Sequence, residues 1–186
     1  ADYLVREHGW TKLGMSDALL DYALELNPWI KLDTPIPSLP EFVKAKALVD
    51  LVGYTDAKKQ KEFRTFLQVL GTKVGRDINE DTWVNLAERR VTEAAQSGPV
   101  ILTGIRFQNE VVMVKRLGGT LVYVSRPNQQ ETHADGMKHE SETSVSSLDF
   151  DVTLKNDGSL DDLYRRVEDF LSVLLTRDNW SSTLEL

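Results

Sequence analysis

The stretch "ILTGIRFQNE" holds the residues best suited to chemistry on a phosphate. Arg106 stands two residues past the apolar run "PVILTG", and Asn109 and Glu110 open the helix that follows. A guanidinium at that place can bind two oxygens of one phosphate through its planar fork. The competing reading is a surface ion pair between Arg106 and Glu110 at i,i+4. A second stretch, "FRTFLQVLGTKVGRD", combines an apolar stripe with polar residues beside it. Phe63, Phe66, Leu67 and Leu70 form the stripe and belong to a core. Gln68 lies off its centre and offers a paired donor and acceptor, which is the equipment for reading a base edge. Gly71-Thr72 and Gly75-Arg76 interrupt the helix, and each glycine costs about 1 kcal/mol there. They therefore point to a bend or a close backbone approach, against the plainer reading of capping glycines at a helix end.

Two further stretches carry weaker signals. "RPNQQETHADGMKHESETS", from Arg126, is long and polar and lies between two strands, the pattern of a lid. His133, Asp135, His139, Glu140 and Glu142 raise the question of a metal site. Without a tight His pair or a cysteine, a polar lid is the favoured reading. In "LKNDGSLDDL", Asn156-Asp157-Gly158 signals a turn, and Ser159 with Asp162 three residues on signals a capped helix start. A strand–turn–helix accounts for that stretch, and a ligand contact from Asn156 would be an addition.

The elements that position these residues follow from periodicity and punctuation. "DYLVREH" reads as the end of a helix stopped by Gly9, and "WTKL" as a short strand. "MSDALLDYALELN" is a helix with Leu19, Leu20, Ala23, Leu24 and Leu26 on its apolar side and Pro28 at its end. "KLDTPIPSLP" is a loop. Helices are expected at "PEFVKAKALVDLV", at "DAKKQKEFRTFLQVLGTKVG" and at "NEDTWVNLAERRVTEAAQSG", the last capped by Asn79 and stopped by Gly98. "PVILTG", "TLVYVSR" and "FDVTLKN" read as buried parallel strands. "NEVVMVKRLGG" is the crossover helix between the first two, and "SLDDLYRRVEDFLSVLL" follows the third. The order predicts a three-layer α/β/α fold with a parallel sheet, which gathers ligands beyond the carboxyl ends of its strands.

Composition sets the outer limits. The 186 residues carry 22 basic and 29 acidic side chains, for a net charge of −7. That balance argues against a nucleic-acid polymer as partner, which needs a basic footprint, but not against a small anion met by a few arginines. Cysteine is absent, which excludes disulfides and thiolate metal sites and favours a reducing compartment. No apolar run approaches the roughly 20 residues of a membrane span, so no membrane partner is expected.

The segments "FLQVLGTKVGRD" with "TWV" behind it, "ILTGIRFQNE", "LGGTLVYVSRP", "HESETS" and "NDGSLDDL" together resemble the deoxynucleoside monophosphate kinases of bacteriophages, within the P-loop nucleotide kinases. The resemblance implies one kinase-like domain over 1–186, with a helical substrate-binding insertion at about 36–97 and a lid at about 126–148. It implies transfer of the γ-phosphoryl of ATP to a deoxynucleoside 5′-monophosphate, with Mg²⁺, in the cytoplasm, that of an infected bacterial host if the protein is phage-encoded. Arg106, Arg76 and Arg126 would be catalytic. Ser16, Asp17, Gln68, Gly71, Thr72, Arg76, Arg106, Asn109 and Glu110 would face the acceptor. Arg126, Asn156 and Gly158 would lie at the donor. A homodimer is left open.

Two departures from the family pattern matter. No Gly-x-x-x-x-Gly-Lys-Ser/Thr loop occurs in these residues, so about 15 or more residues carrying it are expected upstream of Ala1. Gly104 stands where the family often has the Asp of Asp-x-Arg. Metal organisation would then fall to that loop or to another carboxylate, with Asp17 the candidate. These departures motivate an alternative: a nucleotide-binding module without turnover. A kinase of another small phosphorylated acceptor is the third reading.

Overall fold

Gly9 ends the first helix with a left-handed backbone, φ 68°. Its N–H closes onto the Val5 carbonyl and the Trp10 N–H onto that of Leu4, so α1 spans Asp2–His8 as expected. The computed structural model describes residues 1–126 and 148–181, with side chains to residue 174. They form two compact units, Ala1–Ile105 and Arg106–Leu186.

In the first unit, β1 (Thr11–Gly14) pairs in parallel with β4 (Val100–Thr103), from Thr11 opposite Val100 to Gly14 opposite Thr103. The helix α2 (Asp17–Leu26) ends at Asn27, which takes the left-handed conformation just before Pro28. The core of the unit gathers Ala23, Ile30, Leu32, Val43, Ala45, Leu48, Ala57, Phe63 and Leu67, with Phe66 and Leu70 packed against it. The stripe expected on α5 (Lys61–Gln68) is thus core. Leu26, expected on the apolar side of α2, is instead 63% exposed, because it falls on the last helical residue and points away from that core.

A hairpin stands where the sequence pointed to loop and helix. Trp29–Lys31 (β2) and Phe42–Lys44 (β3) pair antiparallel across the proline-rich connection. Ile30 and Val43 turn inward and are buried. Trp29 and Phe42 face outward beneath lysine ammonium groups, Lys44 at 4.7 Å from the Trp29 ring centre and Lys31 at 5.8 Å from that of Phe42. The helix expected from Pro40 starts only at Ala45, giving α3 (Ala45–Val52).

The long helix expected over 56–75 is divided. α4 (Tyr54–Ala57) stops before Gln60, whose buried amide is used up by the chain around Asp33 and Thr34. Its Oε1 accepts the N–H groups of Asp33 (3.0 Å) and Thr34 (3.1 Å), and its Nε2 donates to the Thr34 carbonyl (3.0 Å). After α5 the backbone widens into a π-helical turn, Val69–Gly75, followed by α6 (Arg76–Ile78). α7 (Thr82–Ala95) starts after Asp81, which holds the N-cap position without a side-chain capping bond, and not after Asn79. Asn79 serves one step earlier, its side chain accepting the Asp81 N–H at 2.8 Å.

In the second unit, α8 (Gln108–Arg116) leads to β5 (Val122–Ser125), which pairs in parallel with β6 (Val152–Lys155). The final helix α9 spans Leu160–Ser181. Ser159 and Asp162 cap it reciprocally: the Asp162 carboxylate accepts the Ser159 N–H at 2.9 Å, and the Ser159 hydroxyl accepts the Asp162 N–H at 3.2 Å. β4, β5 and β6 were expected to be buried, yet no residue of any of the three is. Each strand has a single hydrogen-bonded neighbour among the described residues, so its faces are covered less fully than in a wide sheet.

Candidate active site

The turn from β1 into α2 is built around one carboxylate. Asp17 Oδ2 accepts the Gly14 N–H at 2.7 Å. A Cβ at Gly14 would lie 2.7 Å from Asp17 Oδ1, so the glycine is needed for the carboxylate to sit against the backbone. The Met15 N–H continues the ladder to the Thr103 carbonyl at 3.0 Å. Asp17 therefore lies just past the carboxyl ends of β1 and β4, the edge where parallel strands gather ligands. Ser16 is exposed beside it and makes no side-chain capping bond.

The two glycines of "LGTKVG" mark close approaches. A Cβ on Gly75 would stand 2.4 Å from the Trp83 ring nitrogen, and one on Gly71 would stand 3.0 Å from Leu19 Cδ2. Neither glycine takes the left-handed conformation of a helix C-cap. The Trp83 indole N–H donates to the Gly71 carbonyl at 2.8 Å, and the Thr82 hydroxyl donates to the Gly75 carbonyl at 2.9 Å. Leu19 of α2 touches Gly71, and Tyr22 of the same helix tilts against Trp83, ring centres 6.4 Å apart. Arg90 ties α7 back to Asp21 at 2.6 Å. The start of α2 and the π-helical turn are thereby one packed assembly that carries Ser16, Asp17, Gly71, Thr72 and Arg76. Gln68 is exposed immediately before the turn.

In the second unit Glu110 is 4% exposed, and its carboxylate is turned to the backbone. It accepts the N–H of Arg106 at 2.6 Å and that of Phe107 at 3.1 Å, shaping the bend into α8. Arg106 itself is exposed and Asn109 half-buried. Ser125 lies opposite Lys155 in the β5–β6 register, so Arg126 and Asn156 leave the two strands side by side. The Asn156 N–H extends the ladder to the Ser125 carbonyl at 2.7 Å. The next turn is held by Arg166, which meets the Asp157 carboxylate at 2.7 Å and also donates to the Lys155 carbonyl. Gly158 leaves room for the Asp162 carboxylate, 2.6 Å from where a Cβ would be. The hydroxyl and N–H of Ser159 hold that carboxyl below its ordinary range.

Residues 127–147 lie outside the described residues, and with them most of the expected lid, the acidic–histidine cluster and "HESETS". Among the described residues no group of three or more His, Asp or Glu side chains is placed to hold a metal ion. A cavity of about 460 Å³ in the second unit, between Lys115, Asp151 and Phe170, contains none of the residues expected at the site. Its two charged groups, Lys115 and Asp151, are paired with each other. Residue type alone gives Thr82 and Trp83 of "TWV" no role. A signal was there: a tryptophan in a helical core needs an acceptor for its N–H, and two glycines upstream expose carbonyls.

The family described as deoxynucleotide monophosphate kinase matches residues 22–167, well over half of the chain. The chain belongs to that family. It is 26% identical over 136 residues to the deoxynucleotide monophosphate kinase of Enterobacteria phage T4, covering 72% of this chain and 54% of that protein. It is 28% identical over 111 residues to the deoxynucleotide monophosphate kinase of Escherichia phage RB69, covering 58% of this chain and 44% of that one. The chain thus spans about half the length of the curated relatives it matches. No helix among the described residues is long and apolar enough to cross a membrane.

Proposed function

We propose that the protein moves the γ-phosphoryl group of ATP to a deoxynucleoside 5′-monophosphate, yielding the diphosphate. The observation that carries this reading is the family match over residues 22–167. The finer architecture goes with it: a three-layer α/β/α kinase-like domain with a helical acceptor-binding insertion at about 36–97 and a lid at about 126–148.

Phosphoryl transfer asks the protein for position and charge neutralisation more than for covalent chemistry. Arg76 and Arg106 supply guanidinium forks for the acceptor phosphate and the group in flight. Gln68 and Thr72 face the acceptor nucleoside, with Ser16 and Asp17 on the neighbouring turn. Glu110 fixes the bend that carries Arg106, and Asn109 beside it faces the acceptor. Arg126 closes over the donor, whose adenosine end lies near Asn156 and Gly158. Mg²⁺ binds through one or two carboxylates plus substrate phosphates, so a lone Asp17 with one oxygen on the Gly14 N–H suits it. The ion would neutralise charge on the phosphate oxygens.

A coupled assay of ADP formation on the full-length protein, run with each deoxynucleoside monophosphate, tests the reading. ADP formation dependent on one or more of these acceptors is expected. Nucleotide binding without ADP from any of them would point to a binding module instead. Turnover only with some other phosphorylated small molecule would shift the substrate class.

A further inference from the structure

We infer that Trp83 and Thr82 are positioning residues for the acceptor site, acting through the π-helical turn Val69–Gly75. The inference rests on the proposed kinase reading and adds to it a device on the far side of the turn from the substrate. A π-helical turn moves each backbone bond from residue i+4 to i+5 and so takes in one residue more than an α-turn. Everything beyond it is rotated relative to what precedes it by about one residue step, roughly 100°. Gln68 precedes the turn, Thr72 lies within it and Arg76 follows it. Their relative directions therefore depend on the turn staying in π geometry.

Two donors hold it there. The Trp83 indole N–H reaches the Gly71 carbonyl at 2.8 Å, and the Thr82 hydroxyl shares its one hydrogen between the Gly75 carbonyl at 2.9 Å and the Asn79 carbonyl at 2.8 Å. They are adjacent residues at the start of α7, and the carbonyls of the turn that they serve are four residues apart. The glycines let the indole lie against the turn: a Cβ at Gly75 would be 2.4–2.6 Å from three ring atoms. Trp83 is nearly buried, so its ring cannot swing away and leave its N–H in water. Bulk and hydrogen bond together favour the wider turn over a regular helix. Neither residue needs to touch the nucleotide to matter.

The test uses the full-length protein and two variants that each remove one donor. Trp83→Phe keeps an aromatic ring and loses the N–H; Thr82→Val is near-isosteric and loses the hydroxyl. Each should raise KM for the deoxynucleoside monophosphate about 3- to 10-fold, the scale of one hydrogen bond. KM for ATP should stay as in the wild type, and the thermal midpoint should fall by only a few degrees. An acceptor KM unchanged in both variants overturns the inference. So does a rise in both KM values in step with lost thermal stability, which marks a general packing role. If Trp83→Phe fails to fold, Thr82→Val carries the same two outcomes. A wild type that phosphorylates no acceptor is a separate result: it removes the kinase reading itself, and the inference with it.

Discussion

The Glu110 carboxylate lies 2.6 Å from the backbone nitrogen of Arg106, four residues earlier. This spacing is that of a surface ion pair, yet the bond runs to the main chain, and the same oxygen also takes the Phe107 N–H. The carboxylate holds the bend from which the Arg106 side chain emerges. Glu110→Ala leaves two N–H groups without this acceptor, a loss of about 1–3 kcal/mol. In a chain of this size that lowers the thermal midpoint by roughly 2–12 °C. Scanning calorimetry of the variant should show the drop; an unchanged midpoint would contradict the structural role.

Arg106→Lys separates charge from shape. Lysine keeps the positive charge and loses the planar fork. One charge-assisted hydrogen bond is worth about 1.5–3 kcal/mol, so kcat/KM should fall roughly 10- to 150-fold. The thermal midpoint should hold, since Arg106 is exposed. Near-normal turnover in steady-state kinetics would take Arg106 out of the active site.

Gly75→Ala gives a contest of signs. Helix propensity alone favours alanine by about 1 kcal/mol. The added Cβ, however, would sit 2.4 Å from the Trp83 ring nitrogen, on a rigid buried ring. Overpacking of this kind costs about 1–3 kcal/mol, so the variant should be less stable in urea denaturation. A gain in stability would mean that the indole can shift away.

The Lys115–Asp151 pair sets an acid limb. Lys115 beside Asp151, and then the Leu121 N–H, hold this carboxyl below its ordinary value of 3.8. A carboxyl lowered on folding contributes stability above its unfolded pKa and loses it as pH falls through the folded one. Asp151→Asn should therefore lie below the wild type in thermal midpoint at neutral pH. The gap should narrow as pH drops below about 4. A gap constant from pH 7 to 2 would show that the carboxylate charge plays no part.

What the sequence revealed depended on the range of each signal. β4, β5 and β6 were visible because short apolar runs stood between glycines, prolines and helical stretches. The α9 start was visible because Ser159 and Asp162 form a cap within four residues. The β2–β3 hairpin was not, since its strands have three residues each and the connection between them is far longer than an ordinary hairpin turn. "FVK" also runs directly into helix-forming "AKALVDLV". The π-helical turn has no period that seven residues can display; its glycines marked the place without the geometry. Cap choice between Asn79 and Asp81 was a matter of two residues between similar side chains. The carboxylate roles of Asp17 and Glu110 depend on which oxygen meets which N–H, and residue type alone does not specify that.

The Gln60 amide has a consequence for motion. Asp33 and Thr34 lie in a proline-rich surface connection, where amide hydrogens ordinarily exchange with solvent almost freely. Both are bonded to a side chain that is itself 3% exposed and sits at the start of α5. The Lys31 N–H is likewise bonded to Glu62, and the Lys61 N–H to Asp33. The loop and the helix that leads into the π-helical turn are therefore one cooperative unit in local unfolding. The amides of Asp33 and Thr34 should exchange at rates close to those of α5, and Gln60→Ala should release them together. In kinetic terms, a loop far along the chain from Thr72 and Arg76 sets how often the helix leading to them opens.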